Sequence, residues 1–380
     1  MADHSSSCAL PGLWYIEIRK SRTRAGAVLF LRNGAGVAAR SRSELGESWE
    51  RGVGVLSRAA ESLYWIGRYL ERAESVARLV DVNLHLTLDS ATDIGDQWEP
   101  LIDTVGSRKL FAARYPTPTR DSVMRFLTFD AENPDSIMAC VHRARENARC
   151  VRDTISSEMW EQANRFYTFL CDAMGSDYAL INSFEFYTEV KMAARLFDGL
   201  TDATMSHGDA WCFLRLGTMI ERADTTSRIL DVKYFMLLPA WLGVGGAVDT
   251  IQWAALLKSA SAMEMYRKHY KSITPAKVAD FLTLNTEFPR AVCFCLAQAA
   301  MVLGRLCEST PGSTPSEPEI RLRALVHELS SLRIENIIEQ GLHEFLDGLQ
   351  QKLNGFHAAV TTMFFPQCSA EQAENPPCVQ

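Results

Sequence analysis

No apolar run in this 380-residue chain is long enough to cross a membrane. The longest candidate, from Tyr234 to Val248, is broken by Pro239, Gly243, Gly245 and Gly246. The apolar patch Ala27–Leu31 near the start is too short for a signal-peptide core. Basic charge is also in short supply. The net charge is −7, and phosphate backbones are bound by concentrated basic faces, so a nucleic-acid partner is not expected. There are ten cysteines but no C-x-x-C pair and no Cys/His cluster at zinc spacing. Cys140, Cys150, Cys212, Cys295 and Cys307 sit in apolar stretches and read as small buried hydrophobes, which fits a reducing compartment. The expectation is a cytoplasmic protein with no metal and no membrane partner.

Familiar catalytic signatures are missing too. No glutamate has a histidine three residues later, which excludes the di-iron bundle pattern. There is no P-loop, dinucleotide glycine motif or nucleophile elbow, so no cofactor is expected. Sustained period-two alternation is absent as well, while long segments of period 3.6 dominate. The fold class is all-α.

What is present is a helical segment written twice. Residues 63–83 read LYWIGRYLERAESVARLVDVN, and residues 213–233 read FLRLGTMIERADTTSRILDVK. Gly67, Glu71, Arg72, Ala73, Arg78, Asp81 and Val82 recur 150 positions on as Gly217, Glu221, Arg222, Ala223, Arg228, Asp231 and Val232. Glu74 returns as Asp224. Gln97-Trp98 answers Gln252-Trp253, and FLTFDAENP at 126–134 answers FLTLNTEFP at 281–289, now at an offset of 155. Five residues were therefore gained between the two pieces, most simply in the loop after Leu238, where insertions cost little. Asn133-Pro134 and Thr274-Pro275 have the chemistry of an N-cap followed by an N1 proline.

These features predict an internally duplicated multi-helix bundle with pseudo-twofold related halves. Residues 1–54, rich in Ser, Gly and Arg, form a disordered or spurious extension. The helical domain covers 55–365, with repeat one at about 55–165, a connecting helix at about 178–206 and repeat two at about 207–365. Residues 366–380 read as a disordered tail.

Within the repeated segment, Leu63, Ile66, Leu70, Ala73, Ala77, Val80 and Leu84 make one core stripe. Glu71, Glu74, Arg78 and Asp81 make a second, displaced by one residue and rotated by about 100°. Glu221, Asp224, Arg228 and Asp231 repeat it. Glu74–Arg78 and Asp224–Arg228 are i,i+4 pairs in the favourable order, and Arg78–Asp81 would extend the ladder. Two readings follow. The charges are inter-helix ion pairs that lock the repeats together, or a pseudo-twofold axis brings Glu71, Arg72, Glu221 and Arg222 into one polar cleft for an amino-acid-like or anionic group. Gly67 and Gly217 cost helix stability, so their recurrence implies close helix approach or ligand access. Arg145, Arg149 and Arg152 share a helix face, either a solvated basic face or ligands for an anion; Arg290, near a helix start, is a further anion ligand.

The segments LSRAAESLYWIGRYLERAESVARLVDVN, RENARCVRDTISSEMWEQAN, FLRLGTMIERADTTSRILDV and FLTLNTEFPRAVCFCL together resemble the bacterial Alpha-E family over roughly 56–365. That family typically starts with Met directly before the LSR segment, where this chain has Val55. The resemblance implies a helical component encoded or fused beside circularly permuted ATP-grasp proteins and transglutaminase-like peptidases. It implies a role in peptide or amide-bond synthesis, modification or turnover, with a peptide substrate and with nucleotide chemistry left to the partner. The family's Glu and Arg motifs map onto Glu71, Arg72, Glu74, Arg78, Glu221, Arg222, Asp224 and Arg228. Glu71 and Glu221 are the candidate acid/base groups if the protein is itself an enzyme, and the other six, with Arg145 and Arg149, are candidate substrate ligands.

Overall fold

Helix signals are dense along the chain, and sixteen helices are present among the described residues, which in this computed structural model are 32–33, 36–37, 53–89, 98–176, 178–236, 247–307 and 314–365. The fold is all-α apart from a two-residue antiparallel ladder, Arg32–Asn33 with Gly36–Val37, which lies in a separate unit, Met1–Val55. The expectations for 1–54, for 366–380, for Gln97 and for the insertion after Leu238 otherwise fall outside the described residues.

Two long helices carry the repeated segment: α1 (Val53–Asp89) and α9 (Asp209–Met236). Between them come α2 (Glu99–Thr104), α3 (Arg108–Arg114), α4 (Arg120–Thr128), α5 (Ile137–Cys150), α6 (Ser157–Gly175), α7 (Tyr178–Ile181) and α8 (Ser183–Thr204). After α9 come α10 (Ala247–Ser259), α11 (Met263–His269), α12 (Pro275–Thr283), α13 (Val292–Cys307), α14 (Glu317–Ser331), α15 (Ile334–Gln340) and α16 (Leu342–Phe364). α9 packs against α13 and α16, α5 against α6, and α6 against α8.

The expected core stripe is buried from Leu63 through Leu84, and Phe213 through Leu230 are buried likewise. The burial of α1 exceeds a stripe, because Ser75, Val76 and Leu79 on another face are also inaccessible. A helix apolar or small on several faces is enclosed by its neighbours, and α1 is enclosed over most of its motif. The reason is at the two glycines. A Cβ on Gly67 would lie 2.2 Å from the Leu214 carbonyl oxygen, and one on Gly217 would lie 2.0 Å from that of Tyr64. The backbones of α1 and α9 therefore touch, and only glycine permits it.

Helix starts depart from expectation in one respect. Thr274 caps α12, accepting the Lys277 amide at 3.4 Å with Pro275 in the first turn. Asn133-Pro134 does not open α5, whose cap is Ser136, accepting from the Ala139 amide at 3.1 Å. Asn133 instead folds the turn before it, accepting from the Asp135 amide and donating to the Phe126 carbonyl. Asn and Asp close such turns through their own side chains, which competes with capping. Matching contacts recur 155 residues apart: Cys140 Sγ donates to the Pro134 carbonyl and Cys295 Sγ to that of Pro289. Of the cysteines expected to be buried, Cys140, Cys212 and Cys295 are, Cys307 is half-buried and Cys150 is exposed at the end of α5.

Candidate functional site

Because α1 and α9 meet at their glycines, the Glu-Arg dipeptides one turn further on face each other across the contact. Arg72 Nε donates to Glu221 Oε1 at 2.5 Å, and Arg222 Nη2 donates to Glu71 Oε2 at 2.7 Å. The four residues expected to converge do converge, as two crossed ion pairs. Each glutamate takes a second arginine, and the two come from different places. Glu221 receives Arg68 Nε at 2.7 Å, from α1. Glu71 receives Arg290 Nη1 at 2.6 Å, from the turn before α13. Position 68 corresponds by the 150-residue offset to Thr218, which brings no charge. Position 290 corresponds by the 155-residue offset to Asp135, which instead accepts from Arg72 at 2.6 Å.

Both glutamates are almost fully buried, Glu71 at 4% and Glu221 at 2% exposure. Burial alone would raise their carboxyls. Arg222 and Arg290 around Glu71, and Arg72 and Arg68 around Glu221, overcome it and hold each at about 2. Such a carboxylate is ionised, fully hydrogen-bonded and a poor proton acceptor near neutrality.

The charged stripe continues less symmetrically. Glu74 accepts from Arg78, from Arg195 at 3.0 Å and from Arg290 at 2.8 Å. Asp224 accepts from Arg228 Nε at 2.8 Å, while its other oxygen is buried with no hydrogen-bond partner among the described residues. The ladder does not extend from Arg78 to Asp81. Asp81 takes Lys191 of α8 at 2.7 Å instead, and Arg78 donates onward to Ser261. An incoming lysine from a packed helix outcompetes the i,i+3 partner because Arg78 is already engaged by Glu74. Ser261 sits at φ 52°, a left-handed conformation uncommon outside glycine, in the turn between α10 and α11. Asp231 pairs with His343 at 2.7 Å.

Two cavities flank the α1–α9 contact, one for each motif. The first, about 190 Å³, is lined by Glu71, Glu74, Arg195, Arg222 and Arg290, with Leu70, Phe197 and Leu214 as its apolar wall. The second, about 370 Å³, is lined by Arg68, Arg72, Glu221, Asp224 and Arg228, with Trp65 and His357. The crossed pairs thus stand where a single shared cleft was expected, with space on either side. In the second cavity Arg68 lies over the Trp65 ring at 5.2 Å. Burial, followed by Arg68, pushes His357 down to about 4, leaving a neutral ring whose Nδ1 is 3.1 Å from the Tyr64 hydroxyl.

Arg145 and Arg149 stand elsewhere, on α5. Arg145 donates to Asn164 and Glu146 and lies near the Tyr167 ring, while Arg149 is largely exposed and pairs with Glu146. Neither lines the two cavities. Sequence reading missed Arg68, Asp135, Lys191, Arg195 and Ser261. Comparison of the two copies does not find them: Arg68, Asp135 and Ser261 answer to Thr218, Arg290 and Gly106, and Lys191 and Arg195 lie in the connecting helix outside both copies. Arg290 was singled out for an anion, and its partners are the anions of α1 itself.

With the fold and the site's geometry in hand, the chain can be placed. It belongs to the Alpha-E family, described as a predicted alpha-helical domain with a conserved ER motif, which matches residues 55–365. Within that span Glu-Arg occurs twice, at 71–72 and at 221–222, the two dipeptides of the crossed pairs. The chain is also similar to uncharacterized proteins of Mycobacterium bovis and Mycobacterium tuberculosis, at 23% identity over 324 residues, covering 80% of this chain. It spans 35% of the length of each of those relatives. No solved structure matches it.

Proposed function

We propose that this protein is a non-catalytic helical component of an ATP-grasp-dependent system for peptide or amide-bond synthesis or modification, which binds the partner enzyme and an amino-acid or peptide substrate beside its paired Glu-Arg motifs. The observation that carries the non-catalytic part is the state of Glu71 and Glu221. Both are buried, each is held by two arginines, and each is pushed far below the range useful for proton transfer at neutral pH. Family membership supports the remainder, through the neighbourhood that Alpha-E proteins share with circularly permuted ATP-grasp and transglutaminase-like proteins. The greater length of the mycobacterial relatives accords with such a domain working beside further chain. Duplication of one helical unit accounts for the reciprocal contacts of the two motifs.

Co-expression with the neighbouring ATP-grasp protein tests this. A complex that survives size exclusion at micromolar concentration, with amide-bond turnover that needs both proteins, is expected. No association, or turnover by this chain alone that Glu71→Gln or Glu221→Gln abolishes without unfolding it, would overturn the reading in favour of a stand-alone acid/base enzyme. Association without any effect on turnover would leave only a structural scaffold.

A further inference from the structure

Each cavity is lined by three arginines and three carboxylates, but the ion-pair clusters behind them differ in charge balance, because Arg78 and Arg215 stand behind the first. Around the second, Arg68, Arg72 and Arg228 face Asp135, Glu221 and Asp224, three against three. Around the first, the carboxylates are Glu71, Glu74 and Asp198, and the guanidinium groups they engage are Arg78, Arg195, Arg215, Arg222 and Arg290. Five cations meet three anions, with Arg78, Arg222 and Arg290 buried and Arg195 and Asp198 at the solvent edge. Buried charge without a counter-charge is costly, so the donors left unpaired in this cluster are where an anion would be stabilised.

The unspent donors mark where. Both oxygens of Glu71 and both of Glu74 already accept guanidinium groups. Arg222 spends Nη2 on Glu71, while its Nη1 makes no hydrogen bond among the described residues. Arg195 spends Nε on Glu74 and Nη2 on Ser261, which leaves Nη1 at the cavity rim, where its side chain is 48% exposed. Arg78, just behind, feels the same surplus: burial and then Arg290 lower its guanidinium to about 10 despite Glu74. The same cavity is lined by the apolar side chains of Leu70, Phe197 and Leu214.

We propose that the cavity between α1, α8 and α9 binds a small organic carboxylate, with its carboxylate on Arg195 and Arg222 and a short aliphatic body against Leu70, Phe197 and Leu214. Guanidinium groups suit carboxylate and phosphate equally. The apolar wall and a volume of about 190 Å³ favour a carboxylate with a compact hydrocarbon body over a bare phosphate. Two sources share that chemistry, a free amino acid and the C-terminal residue of a peptide. The assignment rests on reading the protein as a binding component. Its test uses this chain alone, so its failure is separate from failure to bind an ATP-grasp partner.

Calorimetry on the full chain with 4-methylpentanoate, 4-methylpentanamide, leucine, a leucine-terminated dipeptide and inorganic phosphate tests it. The acid should bind roughly tenfold or more tightly than its amide, as expected when a charge-assisted hydrogen bond is lost. Leucine binding without the dipeptide assigns a free amino acid, and dipeptide binding assigns a peptide terminus. Arg195→Gln, at a half-exposed position, should weaken the acid roughly tenfold. Ala194→Leu fills the cavity from α8 and should abolish binding while leaving the cooperative melt in place. Arg149→Gln, on the far basic face, should change nothing. Binding by phosphate alone, an amide as tight as the acid, or acid binding indifferent to both cavity variants would each overturn the assignment.

Discussion

At the residue scale, the two glycines and the two glutamates decide most. Alanine is the better helix former by about 1 kcal/mol, yet at Gly67 or Gly217 its Cβ would run into a carbonyl oxygen of the facing helix. Gly67→Ala and Gly217→Ala should each destabilise the protein by about 1–3 kcal/mol, the cost of overpacking. Gly199, on α8 with nothing within 4 Å, is the control. Gly199→Ala should be neutral or stabilising by up to about 1 kcal/mol. Urea denaturation midpoints compare the three, and equal shifts would contradict the close-contact argument. Glu71→Gln leaves Arg222 buried without its anion, since Arg290 keeps Glu74, and Glu221→Gln leaves Arg68 without its anion, since Arg72 keeps Asp135; each should cost about 3–5 kcal/mol. The sequence made these glutamates legible through repetition. It did not make Arg68 or Asp135 legible, because a charge present in only one copy carries no repeat signal.

At the element scale, the helices themselves were readable, since period 3.6 and cap chemistry are local. The start of α5 was misplaced by three residues because Asn133 and Ser136 are both good caps, and only packing chooses between them. The partners of each ion pair were not readable. Arg72 and Glu221 lie on α1 and α9, and the contact of those helices brings neighbours with it. Exchanging the pair, Arg72→Glu with Glu221→Arg, should therefore fail to restore stability. The new arginine would face Arg68 and the new glutamate would face Asp135. Thermal unfolding of the single and double variants checks this, and a double variant as stable as the parent would show that the pair is independent of its neighbours.

At the scale of the whole molecule, the buried charges set the pH response. Glu71 and Glu221 ionise at about 2 in the fold and near 4.5 when unfolded. Their stabilisation is complete above pH 4.5 and is lost as pH falls toward 2. His357, lowered from 6.5 to about 4, stays neutral in the fold while the unfolded ring gains a proton. Its contribution is lost between pH 6.5 and 4, in the same direction. Urea midpoints at about pH 7.5, 5 and 3 should fall in that order, and a flat profile would contradict the pairing. The sequence by itself determined the helical class, the family and the two Glu-Arg motifs, because periodicity, composition and repetition are properties of neighbouring residues. Only the tertiary structure decided that Arg72 serves Glu221 and Arg222 serves Glu71, and that Arg68 and Arg290 fill the second place at each. Those outcomes depend on groups 149 to 219 residues apart, and on a contact between helix backbones that no local pattern encodes.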